Sequence, residues 1–276
     1  MQVSIVTISF NQRRFLSDCL ESVRAQGDAG LDYIVVDPGS NDGSRELIED
    51  AGPLVTRRVF AKDDGPADGL NRGFALATGD VFGFLNADDV LLPGAVRRAK
   101  RFLEQNPQVD VVSGHGFVLD ESGRVVRRAY SDAMDLRGYA LGARVLLQQA
   151  TFFRASAFRA VGGFNASNRL CWDGELFGDM AAAGLRFAIT NEFLGGFRIH
   201  STSLTGSKRL YDEFVDYRWR LFERYVGRPR RASDDVAAFV LRVLKHVREP
   251  RSLVARLLNG ADSLRGRNWR SLTVAD

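Results

Sequence analysis

The chain has 276 residues, 45% of them hydrophobic and 26% charged, proportions that exclude a disordered polypeptide and allow a full core. Cys19 and Cys171 stand far apart with no Cys-x-x-Cys or Cys/His spacing, which argues against a zinc site or a disulfide framework and fits a reducing compartment. No run approaches the roughly eighteen apolar residues of a membrane span, and Met1 leads straight into strand-like sequence without a leader-type segment. The expected location is cytoplasmic, free or peripheral at the inner face of the membrane.

Charge is distributed unevenly. The net charge is +4, yet residues 1 to 204 carry 22 basic and 25 acidic side chains, whereas residues 205 to 276 carry 16 and 9. That break predicts a mildly acidic domain over 1–204 and a basic extension over 205–276.

The run Val3-Ser4-Ile5-Val6-Thr7-Ile8 reads as a parallel strand covered on both faces, and Asn11 is the candidate cap of the helix that follows. Phe15, Cys19, Leu20 and Val23 recur at helical spacing, which makes Cys19 a core residue and not a reactive thiol. Residues 33–37 read as a strand, 38–43 as a turn cluster and 44–51 as a helix. Residues 55–60, 67–77 and 81–85 continue as strand, helix and strand, with the acidic turn Asp63-Asp64-Gly65-Pro66 before the helix. Such alternation predicts an α/β fold with a mostly parallel central sheet flanked by helices, whose ligands sit at the carboxyl ends of the strands. Asp37, Asp63/Asp64 and Asp88/Asp89 all fall at or just past such ends. Beyond a helix over 93–104, the pattern predicts short strands over 109–113 and 116–119, a hairpin turn over 121–124, helices over 156–161 and 175–183, and strands over 187–189 and 193–198.

Two carboxylates directly after a buried strand, in Asn86-Ala87-Asp88-Asp89, are costly unless something compensates them. A divalent cation does so: Mg²⁺ and Mn²⁺ take oxygen ligands, commonly one or two carboxylates completed by phosphate and water. The alternative is that Asp88 and Asp89 cap the next helix, near Pro93. The first βα turn, Ser9-Phe10-Asn11-Gln12-Arg13, lacks the Gly-x-Gly-x-x-Gly of dinucleotide folds, and no Walker-type loop occurs. A bound diphosphate must therefore be held by metal and side chains.

These segments, taken in order, resemble family 2 glycosyltransferases of the GT-A fold. The resemblance rests on Val3 to Asn11, on Val35-Val36-Asp37-Pro38-Gly39-Ser40-Asn41-Asp42-Gly43-Ser44, on Asp64-Gly65-Pro66-Ala67-Asp68-Gly69-Leu70-Asn71-Arg72-Gly73, on Ala77-Thr78-Gly79-Asp80 and on Leu85-Asn86-Ala87-Asp88-Asp89. Gln149-Ala150-Thr151-Phe152-Phe153-Arg154, Val161-Gly162-Gly163-Phe164 and Phe197-Arg198-Ile199-His200 extend it over roughly residues 1 to 204. It implies a GT-A catalytic domain over 1–204 with a helical extension over 205–276, and inverting transfer from a UDP-, dTDP- or GDP-linked sugar to a carbohydrate or lipid-linked acceptor. It also implies a role for each matching residue. Ser9, Phe10 and Asp37 face the nucleotide, and Asp64, Asp68, Asn71 and Asn86 lie near the donor. Asp88 binds Mg²⁺ or Mn²⁺, with Asp89 as second ligand or support, while Arg198 and His200 approach the diphosphate or the metal from a late loop.

Inverting transfer needs a carboxylate to take the acceptor proton. The family's acidic motif, at the start of the helix after the Val-Gly-Gly-Phe element, falls on Trp172-Asp173-Gly174-Glu175, so the resemblance makes Asp173 the base. Gln149, Trp172 and Glu175 are then the expected acceptor contacts, with Glu175 the alternative base. Read locally, Asp173 is equally a helix N-cap and Glu175 a first-turn carboxylate. Pro38, where many relatives carry a second acid that reads uracil, weakens the expectation of uridine, and Gln148 stands where some relatives have His.

In the basic extension Leu210, Phe214, Tyr217 and Leu221 recur at helical spacing, as do Val236, Phe239, Val240, Val243, Leu244 and Val247, accompanied by Arg242, Lys245, Arg248, Arg251 and Arg256. Such helices either lie on an anionic membrane or pack on the catalytic domain or on a second subunit. Nucleic acid is not expected as a partner, because the basic residues are spread through apolar-periodic helices without a recognisable module. A metal-dependent nucleotidyltransferase is the remaining enzymatic alternative.

Overall fold

A computed structural model describes residues 1–27, 30–201, 210–257 and 262–273. The expected boundary between residues 204 and 205 lies outside them, as do the side chains of Arg248 and Arg256.

Strands and helices alternate through the first half: β1 (Val3–Ile8), α1 (Arg13–Arg24), β2 (Asp32–Val36), α2 (Ser44–Asp50), β3 (Arg57–Val59), α3 (Pro66–Leu76) and β4 (Val81–Asn86). After β5 (Val90–Leu91), α4 (Ala95–Gln105) and β6 (Val111–Leu119) come β7 (Val125–Ala129), α5 (Leu136–Ala140), β8 (Thr151–Arg154), α6 (Ala155–Ala160), α7 (Trp172–Ala182) and β9 (Phe187–Arg198). The tail adds α8 (Tyr211–Val226), α9 (Ala232–Arg248) and α10 (Arg251–Leu257). The sheet runs β3-β2-β1-β4-β8-β6-β9-β5, with β7 on β6. β1, β2, β3 and β4 are mutually parallel, β8 runs antiparallel between β4 and β6, and β6 and β9 pair in parallel.

Period-two alternation divides the core between the two faces of the sheet. Val3, Ile5, Tyr33, Val35, Val81 and Leu85 meet α1 and α4 through Leu16, Cys19, Val96 and Leu103. Val6, Ile34, Val36, Phe82 and Phe84 meet α3, α6 and α7 through Leu70, Phe74, Phe158 and Phe177. Phe74, Phe82 and Phe158 lie 4.8 to 5.8 Å apart by ring centroids, so truncating one of them is expected to cost about 3–5 kcal/mol. Cys19 is fully buried and burial pushes its thiol up to about 12, consistent with a core role.

Several local expectations change. Asn11 does not cap α1: it occupies the left-handed region at φ 52°, and its side-chain oxygen accepts the Asn41 N–H. The first N–H of α1 is instead taken by Asp42 from the neighbouring loop, at 2.9 Å. The strands expected over 109–113 and 116–119 are one strand, β6, and those over 187–189 and 193–198 are one strand, β9. Gly114 and Gly116 mark close approach and not a break, since a Cβ on Gly116 would stand 2.5 Å from the Gly195 carbonyl oxygen.

The tail returns to the sheet. α8 and α9 pack through Phe222 and Ala238 on Ala140 and Leu141. Leu264, Trp269 and Leu272 join Val90, Leu119 and Val125 in an apolar cluster at the far edge. Among the described residues no helix is long and apolar enough to cross a membrane.

Candidate active site

The carboxyl ends of β1 and β4 open into one cavity of about 970 Å³. β1 delivers Ser9 and Phe10, the loop before α3 delivers Asp63 and Asp64, and β4 delivers Asn86, Asp88 and Asp89. The opposite wall is formed by Leu146, Leu147, Gln148 and Gln149 before β8 and by Arg169, Trp172 and Asp173 at the start of α7. Residues from these five segments thus meet at the edge of the sheet where α/β proteins bind ligands.

Three buried polar atoms of cavity-lining residues, Ser9 Oγ, Asn86 Oδ1 and Trp172 Nε1, have no hydrogen-bond partner among the described residues. A buried polar group left unpaired costs about 1–3 kcal/mol, so three around one cavity indicate groups kept for a polar ligand. Phe10 is 59% exposed at the same rim, an apolar ring presented to whatever enters.

The acidic turn does not cap the next helix. α4 begins at Ala95, with Gly94 before it and no side-chain cap. Asp88 Oδ2 instead lies 2.9 Å from His200 Nε2, and the His200 ring packs, tilted by 40°, against Phe15 at 4.5 Å between ring centroids. Asp89 is buried, its Oδ1 accepts the Arg198 N–H at 3.0 Å, and burial followed by the charge of Asp88 holds its carboxyl well above the usual range. The expected trio of ligands therefore does not converge, and no group of three metal-ligating side chains forms among the described residues. Asp89 Oδ1 is turned to the Arg198 backbone and away from His200's partner Asp88 Oδ2. A carboxylate and an imidazole side by side remain a suitable pair for Mn²⁺ or Mg²⁺ whose shell is completed by phosphate and water.

Arg198 does not reach the cavity. Its guanidinium, 1% exposed, donates from Nε to the Asp88 carbonyl, from Nη1 to the Glu121 carbonyl and from Nη2 to Asp18 at 2.7 Å. It therefore braces the acidic turn from behind. Asp37 is likewise withdrawn: it is fully buried and accepts the Gly39 and Ser40 N–H groups, the Ser40 hydroxyl and Arg45 Nε, which folds its own loop and leaves Pro38 on the cavity wall. Asp68 accepts the Asp64 N–H and pairs with Arg72, and Asn71 exchanges two hydrogen bonds with the Phe164 backbone. Neither of these two lines the cavity, because Asp68 is claimed by its own helix turn and Asn71 by the distant Phe164 backbone.

Asp173 sits in the first turn of α7, where Cys171 is the N-cap residue and no side chain caps the helix. Its carboxyl is half-buried at the cavity, and burial raises it above the ordinary carboxylate range. Glu175 points elsewhere. It is 1% exposed and is held by Asn165, Asn168, Tyr217 and Arg224, so it joins α7 to α8 and touches neither acceptor nor donor space. Gln149 and Trp172 stay on the wall.

Lys62 and Arg169, both exposed on the cavity rim, carry no motif in the sequence. The one sign was the place of Arg169, four residues before Asp173. Asp63, beside the expected Asp64, is pushed up by burial and accepts the Gly65 N–H.

Solved structures place this fold among sugar-transfer enzymes of the GT-A type. The chain superposes on Staphylococcus aureus TarS 1-349 in complex with UDP-GlcNAc with a TM-score of 0.68 at 14% identity, covering 90% of this chain and 73% of that one. A mannosyltransferase from Pyrobaculum calidifontis, PcManGT, in complex with GDP-Man and Mn²⁺, matches with a TM-score of 0.62 at 15% identity, over 94% and 74% of the two chains. The model of glycosyl transferase family 2 matches residues 4–162, and the chain belongs to that family. Among relatives, a glycosyltransferase of Nostoc sp. is 32% identical over 132 residues, 47% of this chain and 41% of the relative. A PGL/p-HBAD biosynthesis glycosyltransferase of Mycobacterium tuberculosis is 30% identical over 176 residues, 62% of this chain and 66% of the relative. The alignments thus span between two fifths and two thirds of these relatives' length.

Proposed function

We propose that the protein is an inverting glycosyltransferase that moves a sugar from a nucleotide-diphosphate donor to a hydroxyl of a carbohydrate or lipid-linked acceptor, in cell-surface polysaccharide or glycolipid synthesis. What carries this assignment is a coincidence in one cavity: Ser9, Asn86 and Trp172, each with a buried polar atom that has no partner among the described residues, line the space shared by Asp88 and Asp173. TarS with UDP-GlcNAc, PcManGT with GDP-Man and the mycobacterial relative's PGL/p-HBAD biosynthesis support the donor and acceptor classes. Family membership weighs against the nucleotidyltransferase alternative.

In this reading Ser9 and Phe10 hold the nucleoside, Asn86 and Asp64 hold polar groups of the donor, and Asp88 with His200 holds Mg²⁺ or Mn²⁺. When bound, the cation offsets the charge that develops on the departing diphosphate. Asp173 takes the proton from the acceptor hydroxyl as that oxygen bonds to the anomeric carbon, while the bond from that carbon to the diphosphate oxygen breaks. The configuration inverts because a single displacement occurs. Trp172 and Gln149 orient the acceptor, and burial makes Asp173 a stronger base than a solvated aspartate. A thermal-shift panel of UDP, dTDP and GDP with and without Mn²⁺ tests the donor and metal assignments: a metal-dependent rise with one of them is expected, and none with any of them would overturn both. The anomeric configuration of the product, read by NMR, tests inversion.

We extend the proposal to a division of labour between a catalytic domain over 1–204 and a docking extension over 205–276. Val236, Phe239, Val240, Val243 and Val247 turn outward from α9, Phe239 being 65% exposed, and the extension is basic. This favours peripheral attachment to an anionic bilayer, at the inner face of the membrane, close to a lipid-linked acceptor. Flotation with anionic vesicles is the expected result. A dimer by sedimentation with no flotation would assign the stripe to a second copy.

A further inference from the structure

We infer, on the metal reading above, that residues 262–273 form a strap that positions the cation-binding turn, with Asp18 of α1 as its relay. Asp18 is the carboxylate paired with the buried Arg198, at 2.7 Å. The strap grips the same carboxylate from the other side: Trp269 Nε1 donates to Asp18 Oδ2 at 3.4 Å, and Arg270 Nη2 donates to Asp18 Oδ1 at 2.6 Å. Arg270 Nε also donates to Glu21 one turn further along α1, at 2.8 Å.

The strap is seated as well as bonded. Trp269, 2% exposed, packs with Leu264 and Leu272 on Val90, the residue directly after Asp89. Its N–H donates to the Gly123 carbonyl at 2.9 Å, and Asn268 bridges to Arg124. Through Arg198 the strap therefore acts on both acids of the turn, since Arg198 Nε holds the Asp88 carbonyl and Arg198 N holds Asp89 Oδ1. A guanidinium buried this deeply needs its counter-charge, and Asp18, which is 18% exposed at its side chain, keeps its orientation because Trp269 and Arg270 hold it. The family match ends at residue 162, so Arg198 and the strap both lie beyond it. Asp18, Trp269 and Arg270 are positioning residues, because none of them lines the cavity. Outer partners of metal ligands characteristically change metal affinity about 10- to 100-fold when altered.

The test is Mn²⁺ binding by the full chain in the presence of UDP or GDP, followed from the electron paramagnetic resonance of free Mn²⁺. Asp18→Asn and Trp269→Phe are expected to weaken Mn²⁺ binding about tenfold or more. Trp269→Phe keeps an aromatic plug, smaller than indole, and removes the N–H, and its melting temperature is measured beside its Mn²⁺ binding to separate the two effects. Leu103→Ala, in the core on α4, is expected to lower the melting temperature while leaving Mn²⁺ binding unchanged. Wild-type affinity in both strap variants overturns the strap, as does an equal loss in Leu103→Ala. A wild-type chain that takes up no Mn²⁺ with either nucleotide overturns the metal reading itself, and the strap with it.

Discussion

His200 Nε2 stands 2.9 Å from Asp88 Oδ2, although 112 residues separate the two in the chain. The pair joins the end of β4 to the loop after β9, and each residue is held from a second side, the His200 ring by Phe15 and the Asp88 backbone by Arg198. If the pair holds the cation, removing either partner should separate metal affinity from folding. Asp88→Asn is expected to keep the melting temperature of the free protein within a few degrees and to abolish the Mn²⁺-dependent stabilisation by nucleotide. At a hundredfold excess over Kd that stabilisation amounts to about 2.7 kcal/mol. Calorimetric scans with and without Mn²⁺ decide it, and an undiminished shift in Asp88→Asn would remove Asp88 from the metal site.

Asp173 makes a prediction in pH as well as in rate. Its raised carboxyl binds a proton more tightly in the folded chain than in the unfolded one. Between the ordinary value of 3.8 and the raised value, stability therefore falls as pH rises. Asp173→Asn removes that cost, so the variant is expected to melt higher than wild type at neutral pH, with the gap closing below the ordinary carboxylate range. The ionised form is the base, so kcat/KM of the wild type should fall as pH drops through the raised value. In Asp173→Asn turnover is expected to drop about 10²- to 10⁴-fold with donor binding retained. Most of the activity surviving in that variant would move the base elsewhere.

The first half of the fold was legible because covered parallel strands and amphipathic helices write their periods directly into sequence, as in β1, α1 and α3. The second half was less so. Gly114 and Gly116 read as breaks in a strand, whereas they admit the backbone of β9, and that distinction depends on a partner about 80 residues away. The site divides in the same way. Asp88 and Asp173 have local motifs, but whether a motif carboxylate faces the cavity is decided by competing donors. Asp37 is claimed by Gly39, Ser40 and Arg45 of its own loop and the helix after it, whereas Glu175 is claimed by four side chains 7 to 49 residues away, two of them in α8.

Glu175 supplies a prediction that separates a brace from an acceptor contact. Its carboxylate is buried, while Arg224 is 47% exposed at its side chain and can be rehydrated. Glu175→Ala is therefore expected to cost about 2–4 kcal/mol, below the full penalty of breaking a wholly buried pair. For a chain of this size that lowers Tm by roughly 5–15 °C. At a temperature where the variant is folded, its acceptor KM should match the wild type. A raised acceptor KM with an unchanged Tm would return Glu175 to the acceptor site.

Phe10 makes the converse case, since it contributes to binding and not to the core. The ring is 59% exposed at the cavity rim, so Phe10→Ala should change stability by no more than about 0.5 kcal/mol. If the nucleotide base stacks on this ring, the loss is about 1–3 kcal/mol of donor binding, roughly a 5- to 150-fold rise in donor KM. Turnover at saturating donor should persist, because the ring is remote in role from the proton transfer at Asp173. Phe10→Tyr preserves the stacking face and is expected to restore most of the affinity, which a general disturbance of the loop would not allow. Donor KM values for the three forms, measured with the nucleotide that gives the largest metal-dependent thermal shift, distinguish the outcomes. An unchanged donor KM in Phe10→Ala would place the base against another part of the wall, where Pro38 is the remaining apolar surface from the β2 end.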